Sequence, residues 1–438
     1  MYMDTSTVLF ENLPGGESLT RNLYRLPWTA SDNAMSWFEP TRSCNLRCDA
    51  CFHFPDPSSH KPIETIKNEL ALMQQLRKCD AMLIAGGEPL THPDIIEITR
   101  IVKSLKVKPI LMTNGVGLDK QLVIELKKAG LSGITFHVDS HQRRPGWENR
   151  NESGLNELRT WYASLLKEVR GLTCAFNTTI FPDTLEEVPA IVQWAVDHVD
   201  KVNILSLIAV RMVHDDDPVD YYVGGHKIRI RDTPYVSTLK YRNISAEEIY
   251  RQLQKIMPDY RFNAFLGGTA LSYAPKWMLS THAGLNGKSF GNLGPPSMEL
   301  LQTWHHNFTG KYLGFNKPWM NSMGKSLVFM GLFDKSVRKL FGKYLRNLVR
   351  HPLSLFSPLF LQCITIVQPV DILPNGETDN CDGCPNKTLW KGRLVSACRL
   401  EEYLMYGAPV QTVPRHSGIQ PDSQKESSFQ DSGGKLSG

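Results

Sequence analysis

Between residues 36 and 211, six short apolar runs alternate with amphipathic stretches, and this alternation limits the fold more than any other feature. The runs "AMSWFEP", "AMLIAGGEP", "KPILMTNG", "GITFHVDS", "LTCAFNTTI" and "KVNILSLIAVR" read as buried strands. Stretches such as "IETIKNELALMQQLRK" and "TLEEVPAIVQWAVDHV" carry helical spacing between them. Strands that alternate with helices imply a parallel sheet with right-handed crossovers. Six units predict an α/β fold, a partial (β/α)6 barrel, incomplete relative to the eight-stranded TIM form. A polar motif closes each predicted strand: Cys44/Cys48/Cys51, Gly86-Gly87-Glu88-Pro89, Thr113-Asn114-Gly115, Asp139-Ser140, Asn177-Thr178-Thr179 and Arg211. In parallel α/β folds, ligands and catalysis gather at that carboxyl face.

The first motif, "PTRSCNLRCDACFHF", is a C-x3-C-x2-C array. Four thiolates would close a zinc site or an electron-transfer cluster, whereas three leave one metal corner open. The start "MYMDTSTVLFENLPGG" has no basic opening and no long apolar core, so a cytoplasmic location with reduced thiols is expected. The nine cysteines then read as metal ligands plus bystanders: 44/48/51 and 381/384/398 cluster, while Cys79, Cys174 and Cys363 stand apart. Zinc, with His53 as a fourth ligand, is an alternative for the first set, but it does not explain "GGEP". His137 and His141, which flank Asp139, read as satisfied polar residues. A net charge of +5 is mild, and no nucleic-acid partner is expected.

The three-cysteine array followed about 35 residues later by "GGEP", with a helix between, resembles the radical S-adenosylmethionine (SAM) superfamily over roughly residues 36–211. The resemblance implies that Cys44, Cys48 and Cys51 hold three irons of a [4Fe-4S] cluster whose fourth iron binds SAM. It implies that Gly86, Gly87, Glu88 and Pro89 meet the SAM amino group. Asn114, Asp139, Ser140 and Asn177 would stand at strand ends that contact the rest of the cofactor. A one-electron donor such as a flavodoxin or ferredoxin is the implied partner. Relatives usually carry an aromatic residue just before the third cysteine; here it is Ala50, which leaves Phe52 or Phe54 to pack the adenine.

The second half is less explicit. "GGHKIRIRDTPYVSTLKYR" alternates like hairpin material, and "LGGTALSYAPKWMLSTHAGLNGKSFGNLGPP" reads as loops over the barrel mouth. Cys381, Cys384 and Cys398 form a second metal-type set with Cys363 as a candidate fourth ligand. By the same resemblance they suggest an auxiliary [4Fe-4S] cluster, with structural zinc as the alternative. On a helical wheel of residues 326–350, Phe333, Val337, Leu340, Phe341, Tyr344 and Leu348 form an apolar stripe opposite a basic face. Together with the apolar run "PLSLFSPLFLQCITIV", this predicts a helix lying on an anionic membrane surface. The expected divisions are an N-terminal extension (1–35), the barrel (36–211), a substrate or lid region (212–322), the amphipathic segment (323–362), a cysteine-containing α+β domain (363–414) and a disordered tail (415–438). The expected function is a radical SAM enzyme acting on a lipid or other membrane-held molecule at the inner face of the membrane. The alternatives are a peptide or protein maturase and a non-catalytic iron–sulfur or zinc scaffold.

Overall fold

The computed structural model describes residues 19–213, 219–229, 242–373 and 375–415. Most of the expected tail, half of the N-terminal extension and much of the "GGHKIRIRDTPYVSTLKYR" segment lie outside the described residues. The strands are β1 (Tyr24–Arg25), β2 (Met35–Thr41), β3 (Ala81–Gly86), β4 (Lys108–Thr113), β5 (Gly133–His137), β6 (Thr173–Ile180) and β7 (Ile204–Ala209). They continue as β8 (Val219–Val223), β9 (His226–Ile228), β10 (Ala264–Leu266), β11 (Trp277–Leu285), β12 (Lys288–Asn292) and β13 (Phe360–Val367). The short pairs β14 (Asp371–Ile372) with β15 (Thr378–Asp379) and β16 (Lys387–Trp390) with β17 (Arg393–Ser396) follow, then β18 (Gln411–Pro414). Helices α1 (Ile63–Leu76), α2 (Ile95–Ser104), α3 (Lys120–Lys128), α4 (Asn156–Val169) and α5 (Val188–Asp197) connect β2 through β7. Beyond them stand α6 (Ala246–Ile256), α7 (Pro295–Thr309), α8 (Lys335–Arg350) and α9 (Leu400–Tyr406).

Strands β2 to β7 lie side by side, all parallel, in chain order. One face of the sheet meets the helices through Phe38, Ile84, Phe136, Phe176 and Leu205, all buried in the largest apolar cluster. Alternate residues point the other way, as the two-residue period of a strand requires. There Leu83 and Ile110 meet Leu26, Ala264 and Leu266 in a second, interior cluster. The carboxyl end of β2 carries Pro40, which has no N–H to give, and the β2–β3 register slips between Phe38 and Thr41. That slip turns the chain into the cysteine loop.

The sheet does not stop at β7. Strand β13 adds parallel to β7, β11 pairs antiparallel with β13, β10 with β11, and β1 lies parallel to β10. Two expectations change here. The segment from Trp277 to Asn292 supplies strands rather than loops over the mouth. The apolar run "FLQCITIV" is a buried strand inside the sheet, not membrane-facing material, and it crosses the expected boundary at 362/363. Gln362 explains its polar residue: it donates to the Ala195 and Val202 carbonyls and meets His282 at 2.9 Å.

The helix expected over 326–350 is two pieces. A 3-10 turn runs over Gly324–Leu332, and α8 begins only after Asp334, whose carboxylate caps it by accepting from the Ser336 and Val337 amides. The predicted apolar stripe is not a membrane face. Val337, Leu340 and Tyr344 are buried against Phe290, Leu327, Leu359 and Leu361, and the Tyr344 and Phe290 rings meet edge to face at 5.4 Å. Packing on the sheet offers the stripe more apolar contact than an exposed helix would have. Among the described residues, no helix is long and apolar enough to cross a membrane.

Candidate functional site

The cysteine loop and the glycine motif are pressed together by their backbones. The Gly87 amide donates to the Thr41 carbonyl at 3.1 Å and the Glu88 amide to the Ser43 carbonyl at 2.7 Å. A Cβ on Gly86 would stand 2.1 Å from the Thr41 oxygen, and one on Gly87 2.4 Å from the Ser43 oxygen. Gly86 also holds φ +110°, open to glycine alone without strain. The two glycines are therefore what lets the loop after β3 nest under the cysteines.

Glu88 is buried and ties this pair to a third strand end. It accepts from the Leu90 amide (2.9 Å), the Thr113 hydroxyl (2.7 Å) and the Asn114 amide (2.7 Å). Burial pushes its carboxyl pKa up, against the pull of those donors. Its carboxylate thus braces the loops from within. Asn114 reaches back to the cysteine loop, donating to Asn45 Oδ1 at 2.7 Å.

The fourth strand end is tied in as well. Asp49 accepts from Arg143 at 2.7 Å, stands 3.3 Å from His141 Nδ1, and donates its amide to the His141 carbonyl. Asp139 is buried, with His137 Nε2 at 2.9 Å and the His141 and Thr179 amides donating to it. Burial alone would raise its pKa, but the His137 contact and its neighbours hold it below the usual carboxylate value. Ala50 takes the left-handed conformation (φ 57°) and packs against the main core cluster. Phe54 is exposed. His53 lies between Glu39 (3.7 Å) and Glu401 (3.4 Å), an acid-braced position unlike that of a fourth metal ligand.

The three thiols are free and share one loop. Burial raises the pKa of all three; Cys48 is raised further by Asp139 and its fellow cysteines. Cys51 keeps one edge in solvent, yet protein crowds its sulfur and pushes it up to about 11. Thiols held protonated in this way ionise when a metal supplies positive charge. Near them, Glu39 Oε2 and Arg144 Nε are buried without a protein partner, as is Ser140 Oγ just past the end of β5. A cavity of about 350 Å³ lined by Gly115, Leu118, Arg144, Trp147, Trp161 and Tyr162 shares Arg144 with this group and falls within the size range of small-molecule pockets. Asn177 pairs in register with His137 on one side and Ser206 on the other. The donor set, the nested glycines and the orphaned polar atoms fit a three-cysteine cluster with a polar cofactor. Glu39 and Arg144 were not singled out from sequence, although a lone glutamate in the buried strand "AMSWFEP" was a signal.

The second cysteine set closes the seam between β2 and β1–β10. Cys381 bridges to Gly268, and the Asp382 amide donates to the Gly267 carbonyl. Asn33 donates to the Gly383 carbonyl and Ser36 to that of Lys387. The buried Arg77 spreads over the carbonyls of Met35 (2.9 Å), Ala30 (2.6 Å) and Cys384 (2.8 Å). Cys381, Cys384 and Cys398 are mutual neighbours: the Cys381–Cys384 hydrogen bond lowers the Cys384 thiol and raises that of Cys381, while burial pushes Cys398 up. Cys363 is not with them. It sits in β13, paired with Thr281 and Ile204, its sulfur 3.7 Å from Thr365 Oγ1. Among the described residues, no three His, Cys, Asp or Glu side chains are gathered tightly enough to clasp a single ion. Glu401, three residues after Cys398, accepts from Arg42 at 2.8 Å and from the Phe54 amide, so the extension holds the first cysteine loop from outside.

The family described as "Radical SAM superfamily" matches residues 38–195. The GTP 3',8-cyclase of Chlorobaculum tepidum is 29% identical over 201 residues, which are 44% of this chain and 58% of that protein. The AdoMet-dependent heme synthase of Methanosarcina barkeri is 26% identical over 171 residues, 36% of this chain and 46% of that one. The chain spans about half the length of these curated relatives. Among solved structures, Streptococcus suis SuiB bound to S-adenosylmethionine aligns over 52% of this chain and 47% of its own at 16% identity, TM-score 0.37. The chain carries a domain of the radical SAM superfamily, built on a central parallel sheet with the cysteine array at its carboxyl edge.

Proposed function

We propose that the protein is a radical SAM enzyme whose first cysteine set holds a SAM-binding [4Fe-4S] cluster and whose second set holds an auxiliary [4Fe-4S] cluster. Held by Cys44, Cys48 and Cys51, that cluster would supply one-electron reduction of SAM, with an external flavodoxin- or ferredoxin-type donor as the electron source, giving methionine and a 5′-deoxyadenosyl radical able to take hydrogen from substrate. The chain's own residues position and shield. Cys44, Cys48 and Cys51 supply three thiolates. Gly86 and Gly87 bring backbone close to the ligand, and Glu88 and Asn114 fix that backbone. Ser140, Asn177 and the unpartnered Arg144 Nε are the polar groups available to the cofactor.

The observation that carries this reading is the nesting of the glycine motif under the cysteine loop. Burial of the stripe Val337, Leu340 and Tyr344 removes the original support for a lipid substrate. His137, Asn177 and Ser206, adjacent on three strands, suit a polar substrate, and the second cysteine set favours a peptide or protein segment. Replacing Cys44, Cys48 and Cys51 together by Ala is expected to abolish formation of 5′-deoxyadenosine while iron at the second set remains. Persistent cleavage of SAM by that variant would defeat the assignment, and a scaffold predicts no cleavage by wild type either.

A further inference from the structure

The segment 323–358 exposes apolar side chains that the packing of α8 does not use. Phe329, Leu332, Val349, Leu353 and Phe356 are between 74% and 86% exposed. They come from three pieces joined to one another. Arg338 of α8 donates to the Gly331 carbonyl at 2.7 Å, Lys325 to that of Leu355, and Tyr344 to that of Ser354. Scattered apolar residues need no explanation, but a contiguous group of this size marks an interaction surface.

Its charge says what the surface meets. Residues 323–358 contain seven Lys or Arg and a single acid, Asp334, which is buried as the α8 cap. Lys339 and Lys343 lie 3.7 and 2.7 Å from Asp259. Lys325, Lys335, Arg338, Arg346 and Arg350 have no acidic partner among the described residues. A second copy meeting this face symmetrically would set like charges against each other. The five most exposed side chains stand out from short turns and a helix flank, so a fluid apolar phase under anionic headgroups accommodates them without preformed pockets.

Position in the fold adds a direction. The Gly324 amide donates to the Leu359 carbonyl at 2.8 Å, just before β13 starts, and β13 runs parallel to β7. The surface therefore lies toward the amino ends of the strands. The cysteine loop and glycine motif lie at their carboxyl ends, roughly 26 Å away along an eight-residue strand.

We infer that this apolar, basic-flanked surface docks the protein on an anionic phospholipid membrane with the barrel mouth turned to the water. It deepens the functional reading above, on which the use of the mouth rests: substrate reaches the site from the aqueous side of a membrane-attached enzyme.

The full chain, reconstituted anaerobically, is tested by co-sedimentation with phosphatidylcholine vesicles with and without phosphatidylglycerol. Wild type is expected to bind the anionic vesicles, and less as salt rises. The variant F329S/L332S/F356S, altered only at exposed positions, is expected to bind on the order of 100-fold more weakly. R346E/R350E is expected to lose on the order of tenfold at low salt. Hydrogen exchange on vesicles is expected to slow within 324–356 and not in the loops at 86–91 and 139–142. Wild type that stays in solution at low salt overturns the inference, as does undiminished binding by the triple variant or protection at the mouth. Self-association lost in the triple variant, without vesicle binding, overturns it in favour of a second copy. 5′-Deoxyadenosine measured on the same samples is independent: its absence defeats the enzymatic reading and leaves the docking result standing.

Discussion

Arg77 holds the second cysteine set against the barrel, and Arg77→Lys tests that role with a clear sign. The side chain is 2% exposed and no acid pairs with it in the hydrogen-bond pattern; its partners are backbone carbonyls. Nε and Nη2 serve Met35, Nη1 serves Ala30, and Nη2 also reaches Cys384. Burial lowers the guanidinium pKa to about 10, still charged at neutral pH. Lysine keeps the charge and therefore the desolvation cost, but one ammonium cannot reach three directions that a planar fork reaches. At least two charge-assisted hydrogen bonds are lost, each worth about 1.5–3 kcal/mol, so the variant is expected to be destabilised by roughly 3–6 kcal/mol. That is a large part of a typical stability of about 5–15 kcal/mol. Denaturant unfolding followed by circular dichroism reads the shift in midpoint. Iron analysis is expected to show metal lost from the second set while the first retains its own. A variant that unfolds at the wild-type midpoint with full metal content would refute the claim that Arg77 anchors this loop.

If both cysteine sets hold [4Fe-4S] clusters, anaerobically prepared protein contains about eight irons per chain; four irons with one zinc would move the second set to a structural-metal role. Asp371 gives a pH prediction. Burial raises its pKa, but Arg211 and Lys276, the latter at 2.7 Å, outweigh burial and hold it below the usual value. Its contribution to stability is present above the unfolded pKa and is lost as pH falls through the lower folded value, a window below about pH 4. Asp371→Asn is therefore expected to lower stability at neutral pH and flatten the acid limb of the stability profile. An unchanged acid limb would remove Asp371 from the account.

The barrel was legible because its information is local. Each strand from β2 to β7 is an apolar run with its own turn, and each motif sits where the run ends. What the sequence hid is non-local. β13 pairs with β7 across some 150 residues, and an eight-residue apolar run carries no mark that separates a buried strand from a surface-lying segment. The helical wheel placed Phe333 on the stripe, but Asp334 caps α8 one residue later, so Phe333 falls outside the helix and is exposed. Apolar residues that do face solvent, such as Leu332 and Leu353, lie in 3-10 turns where a 100° wheel does not apply. Cys363 is a candidate fourth ligand only as a cysteine in the run preceding the second set, and its place in β13 puts it among Thr281, Thr365 and Ile204. Arg77, Asp49 and Glu401 join loops far apart in the chain, and no local pattern announces such ties.

The central claim is that three thiolates and a nested glycine motif form a site for reductive cleavage of SAM. Anaerobic reconstitution with iron and sulfide, followed by SAM and dithionite, measures it directly. The account predicts 5′-deoxyadenosine and methionine in equal amounts from wild type and none from C44A/C48A/C51A. Cluster-loaded wild type that leaves SAM intact, or the triple variant matching its yield, would contradict it.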